Sequence, residues 1–439
     1  MIPLKKEVAV DKKRVVGLST VIPSSLFLVF FSAASFGAQE NVAPSVSLEG
    51  LLQEALANNR GLEASREELQ AARHRVPQAS ALPDPMAGYA VMGPMLETPL
   101  GPQKDVYEFE QMIPFPGKLV ERRKVALAEL DAAAAQFNEV KRDVIFEVSQ
   151  TYYDLYAVDA TIEAVEEILD LLKKFESIAQ SRYASQQGEQ RDVAKAQAKV
   201  SETLQELFVL RQQRQTLAAF LNTLLDRRSS APLDKASAPV LPKLELSLDQ
   251  LLQQSRGNRP ELLEAAAMRD KERHAHTLAK YEYMPDISVG FQYTRIGEGM
   301  TSDPDDGRDA WMIPLRITLP IWQNRIVPAV LEAKRNLGAS EAKLQQAGNL
   351  AEYEVKNAYY RFTAGRQVVE LYENALIPQA KLAFFSDQAG YEAGRTDVLN
   401  FLDSEEVYRN AKIAYYQALA DALKNFAAIE RAVGIDIEK

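Results

Sequence analysis

Ile287-Ser288-Val289-Gly290-Phe291-Gln292-Tyr293-Thr294 alternates without a break: the odd positions are apolar or aromatic, the even ones small or polar. A period of two marks a β-strand whose two faces meet different surroundings. Downstream, Trp311, Ile313, Leu315, Ile317 and Leu319 share one face, while Arg316 and Thr318 share the other. The stretch between them, Gly297 to Arg308, is rich in Gly, Pro and Asp, as the loop of an exposed hairpin should be. A strand pair is therefore predicted over 286–319. Each strand has about the 9–11 residues that a tilted strand needs to cross a bilayer.

A weaker version of the same pair lies upstream. Tyr107, Phe109 and Ile113 alternate with Glu108, Glu110 and Met112, and Met86 to Met92 alternates less cleanly, which predicts a strand pair over 86–113 around a loop from Gly93 to Lys104. The likeness spreads along the whole chain with a period near 200 residues. Ser47-Leu48 and Leu51-Leu52-Gln53 return as Ser247-Leu248 and Leu251-Leu252-Gln253, and Arg73-His74 returns as Arg273-His274. Pro83-Asp84 with Gly88-Tyr89 becomes Pro285-Asp286 with Gly290-Phe291. Glu147-Val148 with Tyr152-Tyr153 becomes Glu354-Val355 with Tyr359-Tyr360. Two copies at so long a period indicate a duplicated protomer, not a solenoid.

Outside the strands the pattern turns helical. The stretch 117–185 holds no proline, and Ala126, Leu130, Ala133, Phe137, Val140, Val144 and Val148 step by four and three. That is a coiled-coil seam. A helix over this stretch would reach roughly 100 Å at 1.5 Å per residue. A partner helix at 190–226 carries Val193, Ala196, Val200, Leu204 and Leu207. The second copy offers helices at 326–390 and 396–433, with Pro328 tolerable in a first turn and Pro378 expected to kink the rod. A Pro-, Ser- and Ala-rich linker at 231–246 joins a first repeat, 39–230, to a second, 247–439; a further helix opens each repeat.

At the N-terminus, Lys12, Lys13 and Arg14 precede an apolar stretch from Val15 to Phe31 and then small residues, so 1–38 reads as a cleaved export signal. A membrane anchor is the competing reading, and Pro23, Ser24 and Ser25 interrupt the run it would need. No later segment has the ~18 apolar residues of a spanning helix, so membrane insertion would require a barrel. The net charge of -10 argues against nucleic-acid binding. The absence of cysteine excludes disulfides, thiolate metal sites, a cysteine nucleophile and a cysteine-borne lipid anchor.

No phosphate loop, dinucleotide fingerprint, HExxH or serine elbow is present, so neither catalysis nor a cofactor is expected. His274 and His276 lie about 200° apart on a predicted helix and cannot share an ion. They and His74 read as ordinary exposed histidines, with no metal site. The methionines near the strands read as lipid-facing or packing residues before soft-metal ligands. Glu405 and Glu406 point in different directions on a helix and read as solvated surface.

Four strands cannot close a barrel, and an open edge in lipid strands backbone N–H and C=O groups at several kcal/mol each. The chain must pool strands with copies of itself, and three copies give an even total within the usual range. The predicted fold is mainly α with a small β part. Long coiled-coil helices and four transmembrane strands per duplicated protomer would build a trimeric 12-stranded β-barrel on an α-helical barrel. Two alternatives remain: a soluble helical protein bearing two β-hairpins, and a periplasmic coiled-coil adaptor. An adaptor would insert one hairpin into sandwich modules and would lack the tandem duplication.

These features together resemble the TolC family of trimeric outer-membrane efflux ducts, from Ser47 to Gly434. The most specific stretches are Gln111-Met112-Ile113-Pro114-Phe115-Pro116-Gly117-Lys118 and Tyr391-Glu392-Ala393-Gly394 with Asp397-Val398-Leu399 and Leu402-Asp403-Ser404-Glu405. The resemblance implies a passive conduit for drugs, metal ions or other small molecules in the outer membrane of a Gram-negative cell. A long helical part would cross the periplasm to an adaptor protein and an inner-membrane pump of the resistance-nodulation-division type. Gly188 and Gly394 would form the tip turns. The resemblance further implies that Tyr391 bonds Asp192 at the closed tip, that Arg395 stands one residue before the usual basic position, now Thr396, and that Asn400 and Asp403 hold the places of two acidic rings. Glu108, Glu110 and Arg316 would charge the barrel lumen. The strand-to-helix stretch leans towards members that serve heavy-metal pumps.

Overall fold

A computed structural model describes residues 45–93, 97–99, 101–300 and 302–437. The expected export signal and part of the first hairpin loop lie outside them. A two-residue strand, Ser45–Val46 (β1), precedes helices Leu48–Asn58 (α1) and Arg60–Ser80 (α2). Strands Met86–Val91 (β2), Glu97–Thr98 (β3) and Gly101–Ile113 (β4) lead into the long helices Pro116–Ala184 (α3) and Gln190–Leu224 (α4). After Lys235–Ala236 (β5) the order repeats with Leu248–Asn258 (α5), Pro260–Tyr281 (α6), Ile287–Ile296 (β6), Ala310–Met312 (β7) and Leu315–Ile317 (β8). Helices Gln323–Leu371 (α7), Ile377–Glu392 (α8) and Val398–Val433 (α9) complete the chain.

Local chemistry sets the helix ends. The Ser47 hydroxyl caps α1 by accepting from Gly50 N, and Ser247 with Gln250 forms a reciprocal capping box on α5. Pro116 opens α3, where its missing N–H costs nothing, and the helix runs for 69 residues without a break. The second rod is interrupted. A π turn at Tyr372–Leu376 precedes Pro378, with Ile377 N bonded to Tyr372 O five residues back. This is where the expected irregularity falls, because a proline cannot supply the α-helical bond and its ring crowds the preceding turn. α7 starts at Gln323, ahead of the expected 326, so Pro328 lies beyond its first turn.

The long helices stand side by side in the order α4, α3, α9, then α7 and α8, while α2, α3, α6 and α7 pack together at their other end. Their core runs in stations. Val148, Tyr152, Leu155 and Leu221 gather with Leu51 and Ala55 of α1, and Ile168, Leu172, Phe175, Phe384, Val398 and Phe401 gather near the far turns. The short parallel pair β1–β5 pins the linker, and the Tyr152 hydroxyl donates to Ser237 O at 2.9 Å.

The main sheet is antiparallel, in the order β2-β4-β6-β7, with β8 continuing along β6 beyond β7. The last strand is split at Ile313-Pro314, since proline cannot donate to the ladder; Pro314 O still accepts from Gly290 N at 2.9 Å. Among the described residues no helix is long and apolar enough to cross a membrane.

Candidate functional site

Strand register sorts the sheet into two unlike faces. Tyr107 stands opposite both Tyr89 and Tyr293, Phe109 opposite Phe291, Val289 opposite Leu315, and Ile287 opposite Ile113 and Ile317. Directly paired residues point the same way, so this face is apolar from its isoleucine end to a row of tyrosines and Trp311. Phe109, Phe291, Leu315 and Trp311 on it are 48–67% exposed. The other face pairs Glu108 with Gln292, Glu110 with Gly290, and Ser288 with Arg316. Ser288, Gly290 and Thr294 on that side are buried. A soluble antiparallel sheet buries its apolar face and wets its polar one. This sheet instead exposes its apolar face, while its polar face is buried at Ser288, Gly290 and Thr294 and open at Glu108 and Arg316.

The tyrosine row ends at a charged rim. The Tyr89 hydroxyl donates to Asp105 Oδ1 at 3.0 Å, Arg295 pairs with Asp105 at 2.8 Å, and the Tyr293 hydroxyl donates to Asp309. Rings with an apolar body and a polar tip suit a boundary between hydrocarbon and water. On the polar face, Arg316 donates to Glu110, which leaves Glu108 as the carboxylate there without a partner among the described residues.

The strands meet the helices through a buried ion pair. Lys118 Nζ binds both oxygens of Asp286, at 2.9 and 3.0 Å, and Phe115 N donates to Asp286 Oδ1 at 2.8 Å. This explains the chemistry of the strand-to-helix stretch: its lysine is a brace between the repeats. Just beyond it, His274 Nδ1 lies 2.8 Å from Glu121 Oε2, and Lys124 donates to Glu121 Oε1 at 2.8 Å. Burial pushes the Glu121 carboxyl up, but these two partners outweigh it and hold it below its ordinary value. His274 is thus half-buried and paired, not an ordinary exposed histidine, because α6 packs it against α3. Among the described residues no group of three or more candidate ligands could hold a metal ion.

At the far end two turns meet. Gln187 N donates to Arg182 O at 2.8 Å and Gln186 N to Tyr183 O at 3.1 Å; Arg395 N donates to Gly390 O at 2.7 Å and Gly394 N to Tyr391 O at 3.0 Å. Both closures are of the Schellman kind, with a left-handed residue at Gln186 (φ 59°) and Gly394 (φ 71°). Gly188, expected to reverse the first tip, is not the left-handed residue there. It supplies room instead, since a Cβ on it would lie 3.1 Å from Arg182 Cβ. The second turn inverts the arrangement: Gly390 takes the place of Arg182, and a Cβ on it would lie 3.1 Å from Thr396 Cβ. Each crossing admits one side chain and needs glycine opposite.

That side chain in the first turn ties the two tips together. Arg182 Nη1 donates to Tyr391 O, Nη2 donates to Gln187 O at 3.3 Å, and Cζ lies 4.8 Å from the centre of the Tyr391 ring. Tyr391 is buried against Phe175 at 4.6 Å, and Phe175 stacks on Phe401 at 4.0 Å. The expected bond from Tyr391 to Asp192 is not formed, because the ring is held in this aromatic core and its hydroxyl finds no partner among the described residues. Burial, then the nearby Asp192 charge, raises the Tyr391 pKa above its ordinary value. Arg395 is exposed, and the cation that bridges the tips is Arg182. Asn400 and Asp403 lie a turn apart on an exposed face of α9, whose N-terminus is capped by Asp397 accepting from Asn400 N at 2.9 Å.

Above the tip lies a charge network that the sequence reading missed. Glu405 is fully buried, not solvated; one oxygen accepts from Arg409 Nε at 3.2 Å, and the other is 3.9 Å from Lys199 Nζ. Arg409 Nη1 donates to Glu206 Oε2 at 2.5 Å, tying α9 to α4. Burial raises the Glu405 pKa despite the two cations. The i, i+4 spacing of Glu405 and Arg409 was the available signal.

A family model described as outer membrane efflux protein matches residues 51–227 and 251–435, one stretch in each repeat. The cobalt-zinc-cadmium resistance protein CzcC of Cupriavidus metallidurans is 22% identical over 401 residues, covering 89% of this chain and 91% of that one. Among solved structures, the outer-membrane channel OprN superposes with a TM-score of 0.76 at 19% identity, covering 89% of this chain and 91% of that one. The outer membrane protein VceC of Vibrio cholerae gives 0.74 at 20% identity, covering 89% and 96%. These two likenesses concern the fold.

Proposed function

Because the chain belongs to the outer membrane efflux protein family, we propose that three copies join their sheets into one 12-stranded barrel in the outer membrane. Their helices then enclose a tunnel beneath it, and the whole forms the passive exit duct of a tripartite efflux system. The family is one of outer-membrane conduits, not of enzymes. The observation that carries this reading is the inverted sheet. Its apolar face is exposed and carries a row of tyrosines at one end, Ser288, Gly290 and Thr294 on its polar face are sheltered, and both its edge strands are open. Lipid outside and water inside satisfy both faces, and closure with other copies satisfies both edges.

The exposed tips near Asn400 and Asp403 would meet a periplasmic adaptor and an inner-membrane pump of the resistance-nodulation-division type. For cargo, the name of the relative CzcC favours divalent heavy-metal ions. The acidic Glu108 and Asp403, repeated around a pore, suit cations.

The test is direct. The mature protein in detergent should be a helix-rich trimer and should conduct ions across a planar bilayer; a stable monomer without conductance would sink the proposal. With its own adaptor and pump, in a host lacking such a duct, it should raise tolerance to cobalt, zinc or cadmium. Tolerance to organic drugs alone would move the cargo to the other class.

A further inference from the structure

The two open edges of the protomer answer each other through the duplication. Inside one chain the repeats join at a junction with two parts. β4 pairs with β6, with Phe109 opposite Phe291, and below them Lys118 grips Asp286. Each part has a copy elsewhere in the sequence. Pro83-Asp84 and Gly88-Tyr89 stand 202 positions before Pro285-Asp286 and Gly290-Phe291, so β2 is the first-repeat copy of β6. Pro114 and Pro320 stand 206 positions apart, which makes Leu315 the copy of Phe109. α3 and α7 begin 207 positions apart, at Pro116 and Gln323, a separation that Glu147 and Glu354 keep; Arg325 is therefore the copy of Lys118.

We propose that a second copy of this chain docks by repeating the inner junction: β8 pairs antiparallel with the partner's β2, Leu315 faces the partner's Tyr89, and Arg325 grips the partner's Asp84. The inference rests on the proposed barrel and specifies its seam. Three observations support it. Among the described residues the exposed Asp84 side chain has no partner, and that of the exposed Arg325 has one ion pair, at 3.5 Å to Glu282. The projected register sets two outward residues opposite each other, since Tyr89 shares a face with Tyr107 and Leu315 with Val289. A slip of one residue would put Tyr89 against a polar-face residue. Independently, Phe208 on α4 is 66% exposed and stands 208 positions before Tyr416. Tyr416 packs edge-on against Tyr156 at 6.5 Å within the protomer. Phe208 is the uncovered copy of a residue that the inner junction covers.

The chain has no cysteine, so an introduced pair reports only the seam. Directly opposed residues of antiparallel strands sit about 4.5–5.5 Å apart at Cα, within disulfide range. In the full mature protein, Y89C with L315C should form covalent dimers and trimers on oxidation with diamide, while either single variant stays monomeric on a denaturing gel. Y89C with I317C, two residues out of register, should cross-link far less. In a second arm, D84R or R325D alone should lower the temperature at which the oligomer dissociates in dodecyl sulfate, and D84R with R325D should regain about half of that loss or more. Stronger cross-linking in the I317C pair overturns the seam, as does none in a protein that light scattering shows to be trimeric. So does an exchange of charges that only adds the two losses. A chain that is monomeric in detergent overturns the barrel itself.

Discussion

Replacing Arg182 by alanine should open the tip, and the size of the effect follows from what the guanidinium holds. It donates to Tyr391 O across the two turns and to Gln187 O within its own, and it lies over the Tyr391 ring. A hydrogen bond from a charged donor contributes about 1.5–3 kcal/mol, and a cation above an exposed ring adds about 0.5–1 kcal/mol. Arg182 is half-buried, so the lower ends apply, and about 2 kcal/mol per protomer is a fair figure. That shifts the balance of open to closed roughly 30-fold for one tip. If the three tips of a trimer open together, the shift is on the order of 10⁴-fold.

Single-channel recording in planar bilayers measures this as open time. R182K should fall between wild type and R182A, because lysine keeps the charge and loses the planar fork. Tyr391→Phe should not open the tip, since the hydroxyl it removes is buried without a partner among the described residues. Tyr391→Ala should open it by removing a ring packed on Phe175. The reasoning fails if R182A keeps the wild-type open time. It fails equally if Tyr391→Phe opens the channel as far as R182A does, because the phenol would then be the lock.

Three further outcomes are expected. Glu110 is neutralised by Arg316 and Glu108 is not, so E108Q should weaken cation selectivity while R316Q strengthens it; reversal potentials at low salt check this, since a Debye length of about 8 Å mutes it at physiological ionic strength. Asp403 is exposed near the tip and Asn400 is neutral, so D403N should abolish most of the block by a trivalent cation and N400D should deepen it, as titrated in bilayers. Burial raises the Glu405 pKa, so its protonated form favours the fold: its contribution is full below the ordinary carboxylate value and is lost as pH rises through the raised one. Thermal unfolding should therefore show a component that weakens as pH rises through that raised value, and E405Q should flatten it.

The legible features were those whose signal lies within a few residues. Strand faces follow from period two, so the split between Phe291 and Gln292 could be read directly. The glycine of the second tip stands beside its helix end, and its left-handed backbone follows from having no Cβ. What depended on distant partners was hidden. Glu110 meets Arg316 only once β4, β6 and β8 are in register. Arg182 binds a carbonyl 209 residues away, and no side-chain pattern announces a backbone acceptor. Gln186 takes the left-handed place in the first tip although it is not glycine, so the glycine signal points instead to Gly188, two positions later. Adjacency correctly separated Glu405 from Glu406 around the helix, but it could not say which of them faced α4.

The π turn links the duplication to the tip. Glu147 and Glu354 are 207 positions apart, whereas Tyr183 and Tyr391, the equivalent residues of the two closures, are 208 apart. The second rod has therefore gained one residue between Glu354 and Tyr391, and the five-residue turn at Tyr372–Leu376 lies in that interval. Its bonding takes up one residue more than an α turn. Were the extra residue carried in plain α-helix, everything beyond it would rotate by about 100°. Tyr391 would then leave its contact with Phe175, and its carbonyl would turn away from Arg182. A local irregularity beside Pro378 thus keeps two diverged copies in phase where they meet, and the contact of Arg182 with Tyr391 depends on a rod that is not uniform.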